Sequence, residues 1–163
     1  MIFLTVGTQF PFDRLVKSVD EFVGSNGLDE EIFAQIGNST YQPQNFKAVA
    51  SLDKNLFDKY LRDASCIISH AGMGTITMAL EHQKPLLVLP RRQKYKEVVN
   101  DHQVAIAKKF EQLGHLLVAY ETEQIPEKLE QLKTFVPRKR QAQPQAVAER
   151  IERFLKEIPS NGK

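Results

Sequence analysis

The sequence predicts an α/β fold, a mostly parallel sheet of about six strands with helices on both faces. Three observations carry that reading. Short apolar runs alternate with segments of helical period about six times along the 163 residues. Two of the runs, "CIIS" (66–69) and "PLLVLP" (85–90), are apolar without alternation, as strands buried on both faces are. No repeat, linker or low-complexity segment divides the chain, whose length suits one domain with its own core. Together they describe a single Rossmann-like domain.

"IFLTV" (Ile2–Val6) reads as the first strand. The helix after it, Phe12–Val23, carries Leu15, Val16, Val19, Phe22 and Val23 at helical spacing. "EIFAQI" (31–36) is a strand, "GNSTYQPQ" a loop and "FKAVA" (46–50) a weaker strand. "DKNLFDKYLRDA" (53–64) is a helix with Leu56, Phe57, Tyr60 and Leu61 on one face, capped by Asp53 or Ser51. "CIIS" is a strand and "TITMALEHQ" (75–83) a helix. "PLLVLP" closes at Pro90. "NDHQVAIAKKFEQLG" (100–114) is a helix stopped by Gly114. "HLLVAY" (115–120) is the last strand. "IPEKLEQLKTF" (125–135) and "QAVAERIERFLKEI" (145–158) are amphipathic helices.

Composition is that of a soluble globular protein, which sets aside disordered, collagen-like and disulfide-scaffold classes. No apolar run reaches the ~20 residues of a membrane span. "MIFLTVGT" lacks a basic flank and a cleavage site, and reads as a strand instead of a signal peptide. The single cysteine, Cys66, sits among core isoleucines and excludes an internal disulfide and a cysteine-rich zinc site. A reducing cytoplasm is expected. The net charge of +2 is too small to argue for nucleic acid. Basic charge gathers in "PRRQKYK" (90–96) and "PRKR" (137–140). Solvated surface is the plain reading, and the better one for Arg138–Arg140; a phosphate or anionic-lipid contact is the sharper one.

In open α/β sheets, ligands lie beyond the carboxyl ends of the strands. The loops expected there are 7–11, 37–41, 51–52, 70–75 and 90–103, and they carry most of the glycines and clustered arginines outside helices. "HAGMGT" (70–75) leaves a strand, passes two glycines and enters a helix. Such a turn exposes backbone N–H groups and the positive end of a helix dipole, a geometry that binds phosphate. The alternative is that Gly72 and Gly74 only permit a tight turn. A P-loop pattern is absent. The dinucleotide fingerprint is misplaced, since the first strand ends in a lone Gly7 and the glycine pair follows the fourth strand. His70, His82, His102 and His115 show no metal-ligand spacing, and His82 and His115 read as surface or packing residues. No metal and no cofactor are expected. There is no G-x-S-x-G elbow.

"TVGTQFPFDRLV", "QIGNSTY", "SHAGMGT", "KPLLVLPR" and "EVVNDHQ" occur in an order and spacing that resemble the C-terminal, donor-binding domain of MurG-like glycosyltransferases of the GT-B fold, family 28 type. The resemblance covers roughly residues 1–120. It is strongest to forms in which that domain is a separate subunit, the PssE-type subunits of exopolysaccharide and capsule synthesis and the catalytic subunit of the eukaryotic lipid-linked UDP-GlcNAc transferase.

The resemblance implies that residues 1–163 form one UDP-sugar-binding domain. It implies transfer of a sugar from a UDP-sugar to a polyprenyl-diphosphate-linked acceptor. A membrane-anchored, Rossmann-like partner subunit would complete the enzyme and recruit it to the inner face of the membrane. Gly7, Thr8, His70, Gly72, Met73, Gly74 and Thr75 would wrap the diphosphate, with Asn38 and the backbone at Ser51–Leu52 towards the nucleotide. Glu97, Asp101 and Gln103 would contact the donor sugar or ribose, and Arg91 would neutralise the leaving diphosphate. Helix N-capping is the alternative for Asp101, and a solvated loop for Arg91 and Arg92. Two positions depart from the pattern. Met78 stands where many relatives carry a ribose-holding glutamate, and Val98 where they carry a histidine. His70 is the best internal candidate for a general base, yet its place suggests nucleotide contact. The base is expected on the partner. A C-terminal helix (about 142–158), with Val147, Ile151, Phe154, Leu155 and Ile158 as an apolar stripe, is the candidate docking element; the alternative is that it covers its own sheet. The rival function is a non-catalytic nucleotide-sugar-binding or regulatory module.

Overall fold

The computed structural model describes residues 1–139 and 144–158. Six strands, β1 (Ile2–Thr5), β2 (Ile32–Gln35), β3 (Lys47–Val49), β4 (Cys66–His70), β5 (Leu86–Leu89) and β6 (Leu117–Val118), form one sheet in the order β3-β2-β1-β4-β5-β6. All five pairings are parallel. The helices are α1 (Asp13–Asn26), α2 (Lys54–Asp63), α3 (Met73–Glu81), α4 (His102–Gln112), α5 (Ile125–Leu132) and α6 (Pro144–Glu157). Strand order reverses between β1 and β4, which opens a crevice at their carboxyl ends.

Side chains of β1 alternate between two cores. Ile2, Leu4 and Val6 pack with Leu15, Val16 and Val19 of α1 and Leu129 of α5. Phe3 faces the other way, with Leu61 of α2, Ile76 of α3 and Phe110 of α4. The same alternation along β5 places Leu87 and Leu89 in the first core, Leu86 and Val88 in the second. A parallel sheet covered on both faces needs apolar residues at every strand position, which is why β4 and β5 read as unbroken apolar runs.

Asp53 is the cap of α2, its carboxylate accepting the Leu56 N–H at 2.9 Å. Leu56, expected on the inner face, is exposed. It belongs to the first turn of the helix. Helix α3 begins at Met73 and not at Thr75, so Gly74 lies within its first turn. Gly114, at φ +75, ends α4 as expected. In α6, Ile151 is buried among the residues of α3 and α4 and Leu155 packs beside it, while Phe154 is exposed. The stripe therefore covers its own domain at these two positions. Arg140 and the side chain of Val147 lie outside the described residues.

Two carboxylates of α1 hold the long loop between β2 and β3. Asp13 accepts from the Ser39 and Thr40 hydroxyls and from the Thr40 N–H. Asp20, 2 % exposed, accepts from Tyr41 Oη at 2.7 Å, Gln44 N at 3.0 Å and Asn45 N at 2.8 Å. Burial pushes the Asp20 carboxyl up, but these hydrogen bonds outweigh it and hold it below the usual carboxylate range. A depressed carboxyl adds stability that is present above its unfolded pKa and is lost as pH falls through the folded one. Asp20→Asn is therefore expected to lower stability by about 2 kcal/mol at neutral pH. The deficit should shrink below pH 4. Denaturant unfolding at pH 7 and pH 3 measures both; an equal deficit at the two values would contradict the assignment.

Candidate functional site

The carboxyl edge holds a cavity of about 670 Å³ at the β1/β4 crevice. A smaller pocket of about 190 Å³ adjoins it and shares Gly7, Thr8, Gln9 and Phe10.

Gly7, at φ +78, takes a backbone conformation that favours glycine. Two bonds pin it: the buried Thr5 hydroxyl accepts its N–H at 3.2 Å, and Gln35 Nε2 donates to its carbonyl at 3.1 Å. The peptide is trans, so the Thr8 N–H is directed away from Gln35. Gln35 Nε2 also donates to Ala50 O at 3.0 Å, which ties the β3 end to the same point.

His70 closes β4 and is 9 % exposed. A Cβ at Gly72 would lie 2.1 Å from its Nε2, and one at Gly7 would lie 2.7 Å from its Cε1. Both glycines are therefore required by one imidazole. Gly72 itself has ordinary extended torsions, φ −87 and ψ 136, so the tight-turn alternative does not explain it. Gly74 differs: a Cβ there would meet nothing within 4 Å, and the residue lines the cavity. Gly72 caps α3 without a side-chain bond, and the first N–H returned to the helix is that of Ile76, to Gly72 O. The N–H groups of Met73, Gly74 and Thr75 are left at the positive end of the dipole. Burial, then the nearby Arg91 charge, pushes the His70 pKa down to about 4. The ring is neutral at physiological pH.

Arg91 is buried, not part of a solvated loop. Its Nη2 donates to Val6 O at 2.8 Å and Phe10 O at 2.6 Å, and its guanidinium lies 4.9 Å from the Phe12 ring centroid. Its backbone N–H donates to Gln103 Oε1 at 3.0 Å. Burial lowers its pKa to about 10, which leaves it charged at neutral pH. Arg91 thus fastens the loop after β1 to the end of β5 while lining the cavity.

Of the residues expected at the site, Gly7, Thr8, His70, Gly72, Met73, Gly74, Thr75, Arg91 and Gln103 line the large cavity. Asn38 lines the smaller pocket. Glu97 and Asp101 line neither. Glu97 accepts from Arg14 Nε at 2.7 Å, Arg14 Nη2 at 3.0 Å and Arg92 N at 2.9 Å. Its oxygens are engaged in a bidentate clamp to α1. Asp101 stands at the N-cap position of α4 but makes no side-chain cap bond there, and its carboxylate accepts from Gln93 N at 2.9 Å. Sequence reasoning missed Lys54, Phe57 and Asp58 of α2, which line the cavity. The available signal was that the first turns of α2 begin at the same carboxyl edge as the loops.

The chain belongs to the family described as the glycosyltransferase family 28 C-terminal domain, whose model matches residues 1–158. It is 34% identical over 128 residues, 71% of its length, to the human UDP-N-acetylglucosamine transferase subunit ALG13, of which it spans 10%. The subunit of the same name from Eremothecium gossypii is 45% identical over 53 residues, 32% of this chain and 24% of that one. The crystal structure of Acinetobacter baumannii MurG superposes with TM-score 0.64 at 19% identity, over 93% of this chain and 49% of that one. The solution structure of ALG13 superposes with TM-score 0.63 at 19% identity, over 93% and 94%. These likenesses establish that this single domain has the architecture of one half of a GT-B enzyme.

Gly72→Ala is expected to destabilise the protein by about 2 kcal/mol through overpacking against His70. In a His70→Ala background the same change should cost well under half as much. Equal costs in the two backgrounds, measured by denaturant unfolding, would refute the contact. The neutral imidazole adds a pH signature. Between pH 6.5 and 4 the unfolded chain binds a proton that the native chain does not, so stability should fall with acid across that window. His70→Ala should flatten this slope.

Proposed function

We propose that this family 28 chain is the donor-binding subunit of a two-component glycosyltransferase. It would move a sugar from a UDP-sugar to a polyprenyl-diphosphate-linked acceptor in exopolysaccharide or capsule synthesis. The observation that carries the reading is convergence at one point. The Gly7–Thr8 turn, the open N-terminus of α3 and the buried Arg91 meet on a single cavity.

In this reading the diphosphate lies against the N–H groups of Met73, Gly74 and Thr75, with the Thr8 backbone opposite. Breaking the sugar–oxygen bond places negative charge on the leaving UDP, and fixed dipoles plus one buried cation stabilise that charge without reorganising. Neutral His70 holds the two phosphate loops apart and contributes no competing charge. No metal is required, since Arg91 and backbone dipoles meet the charge. Gln103, joined to the Arg91 N–H, faces the cavity where the sugar would lie, and Asn38 serves the nucleotide from the adjoining pocket. With Glu97 and Asp101 engaged in backbone and arginine bonds, the base that deprotonates the acceptor belongs to a partner. That partner is a membrane-anchored, Rossmann-like subunit carrying the acceptor site. Among the described residues no helix is long and apolar enough to cross a membrane, so recruitment through such a partner fits.

Gly74→Val places a side chain where the cavity is open, so UDP affinity should fall by at least tenfold while the melting temperature changes little. Calorimetric titration with UDP tests it, and undiminished affinity in a folded variant would sink the phosphate assignment. Transfer to a lipid-linked acceptor should require the co-expressed partner. Robust transfer by the isolated chain would overturn the two-component reading. UDP binding with no transfer under either condition would favour the non-catalytic module.

A further inference from the structure

Cavity-lining carboxylates are scarce. Glu97 is turned to Arg14, Asp101 to the Gln93 N–H, and Asp13 to Ser39 and Thr40. Among the described residues that line the large cavity, Asp58 is the one carboxylate. It lies in the second turn of α2 and has no hydrogen-bond or ion-pair partner among the described residues. Lys54, one turn before it on the same wall, makes no ion pair with it. A half-buried, unpaired carboxylate facing a cavity is an acceptor in want of donors.

We infer that Asp58 accepts hydrogen bonds from the ribose hydroxyls of the bound nucleotide and so makes the site selective for a ribonucleotide. The inference rests on the nucleotide reading above. Three features place the ribose there. Helix α2 packs beside α3, so a diphosphate at the α3 N-terminus leaves its nucleoside next to α2. The wall around Asp58 is otherwise apolar on the inner side, with Leu52, Phe57 and Met78. An apolar wall suits the flat face of a base and leaves a vicinal diol with one strong acceptor in reach. Two carboxylate oxygens match two adjacent hydroxyl donors, and charge assistance makes such bonds the strong kind. The absence of an internal partner also makes the side chain dispensable for folding. Its removal should therefore read out on the ligand alone.

The experiment is a cycle of two proteins and two ligands, by calorimetry on the intact chain. Wild type should bind UDP roughly ten- to a hundredfold more tightly than 2′,3′-dideoxyuridine diphosphate. Asp58→Ala should lose that factor for UDP, bind the dideoxy compound as wild type does, and melt within about a degree of it. Asp58→Asn should fall between. If both proteins discriminate between the ligands equally, or if Asp58→Ala weakens both ligands equally, the assignment of Asp58 is overturned while the nucleotide reading stands. If wild type binds neither ligand, the nucleotide reading fails and this inference with it. Loss of the fold in both variants would overturn it too, since the side chain is argued to carry no structural load.

Discussion

One imidazole sets the geometry of the carboxyl edge. His70 ends the central strand β4, and it lies in space that two other residues leave by lacking a Cβ. Gly7 closes the β1 turn and Gly72 opens α3, so the two loops that reach the crevice are spaced by the thickness of one ring. Packed interiors transmit such constraints rigidly, because a methyl group too many has nowhere to go. The ring is held neutral by burial and by the Arg91 charge beside it, which keeps a second positive charge out of a small volume. Arg91 then binds the β1 loop from behind through Val6 O and Phe10 O. Steric spacing and a charged tie thus act on the same loop from two sides.

The next layer is built by the first turn of α1. Asp13 holds Ser39 and Thr40, and its neighbour Arg14 holds Glu97 and the Pro90 carbonyl. Adjacent residues therefore anchor the loops on opposite flanks of the cavity. Tyr95 lies over the Arg14 guanidinium at 4.2 Å, and Glu121 gathers Arg92, Lys94 and Tyr95. Arg91, Arg92 and Lys94 of the basic run are consequently tied into the fold. Arg92 and Lys94 meet the Glu121 carboxylate and Arg91 the carbonyls of the β1 loop, while Lys96 stays exposed.

The sheet was legible because burial on both faces writes itself as unbroken apolar runs, and the helices because their inner faces repeat at 3.6 residues. The glycine loops were legible as parts of the carboxyl edge by their place after strands, and they line its cavity. Less legible was why each glycine is there. Gly72 and Gly74 look alike in sequence, yet one makes room for His70 and the other opens to the cavity. The polar residues were least legible. Glu97 and Asp101 have chemistry suited to sugar hydroxyls, but partners distant in sequence claim them. Arg14 lies 83 positions from Glu97, and no local pattern reveals that bond. Asp58 drew no notice in the sequence, and only the tertiary position of α2 places it in the wall of the crevice.

The same competition for carboxylates bears on the division of labour in a GT-B half. A group that must take a proton from an acceptor hydroxyl has to be free of fixed donors and near the reacting carbon. Near these loops Glu97 is bonded to Arg14 and the Arg92 N–H, Asp101 to the Gln93 N–H and Asp13 to Ser39 and Thr40, while Asp58 is, on the inference above, given to the ribose. His70 is walled in by glycines with a pKa of about 4, too low for a base matched to neutral pH. What the domain offers instead is preorganised positive potential: open helix N–H groups, a pinned turn and a buried guanidinium. On the proposed reading such a surface would stabilise a departing diphosphate, and it holds no group placed to activate an incoming hydroxyl. On that reading the domain serves the leaving group, and activation of the acceptor is the function that a facing acceptor domain would supply.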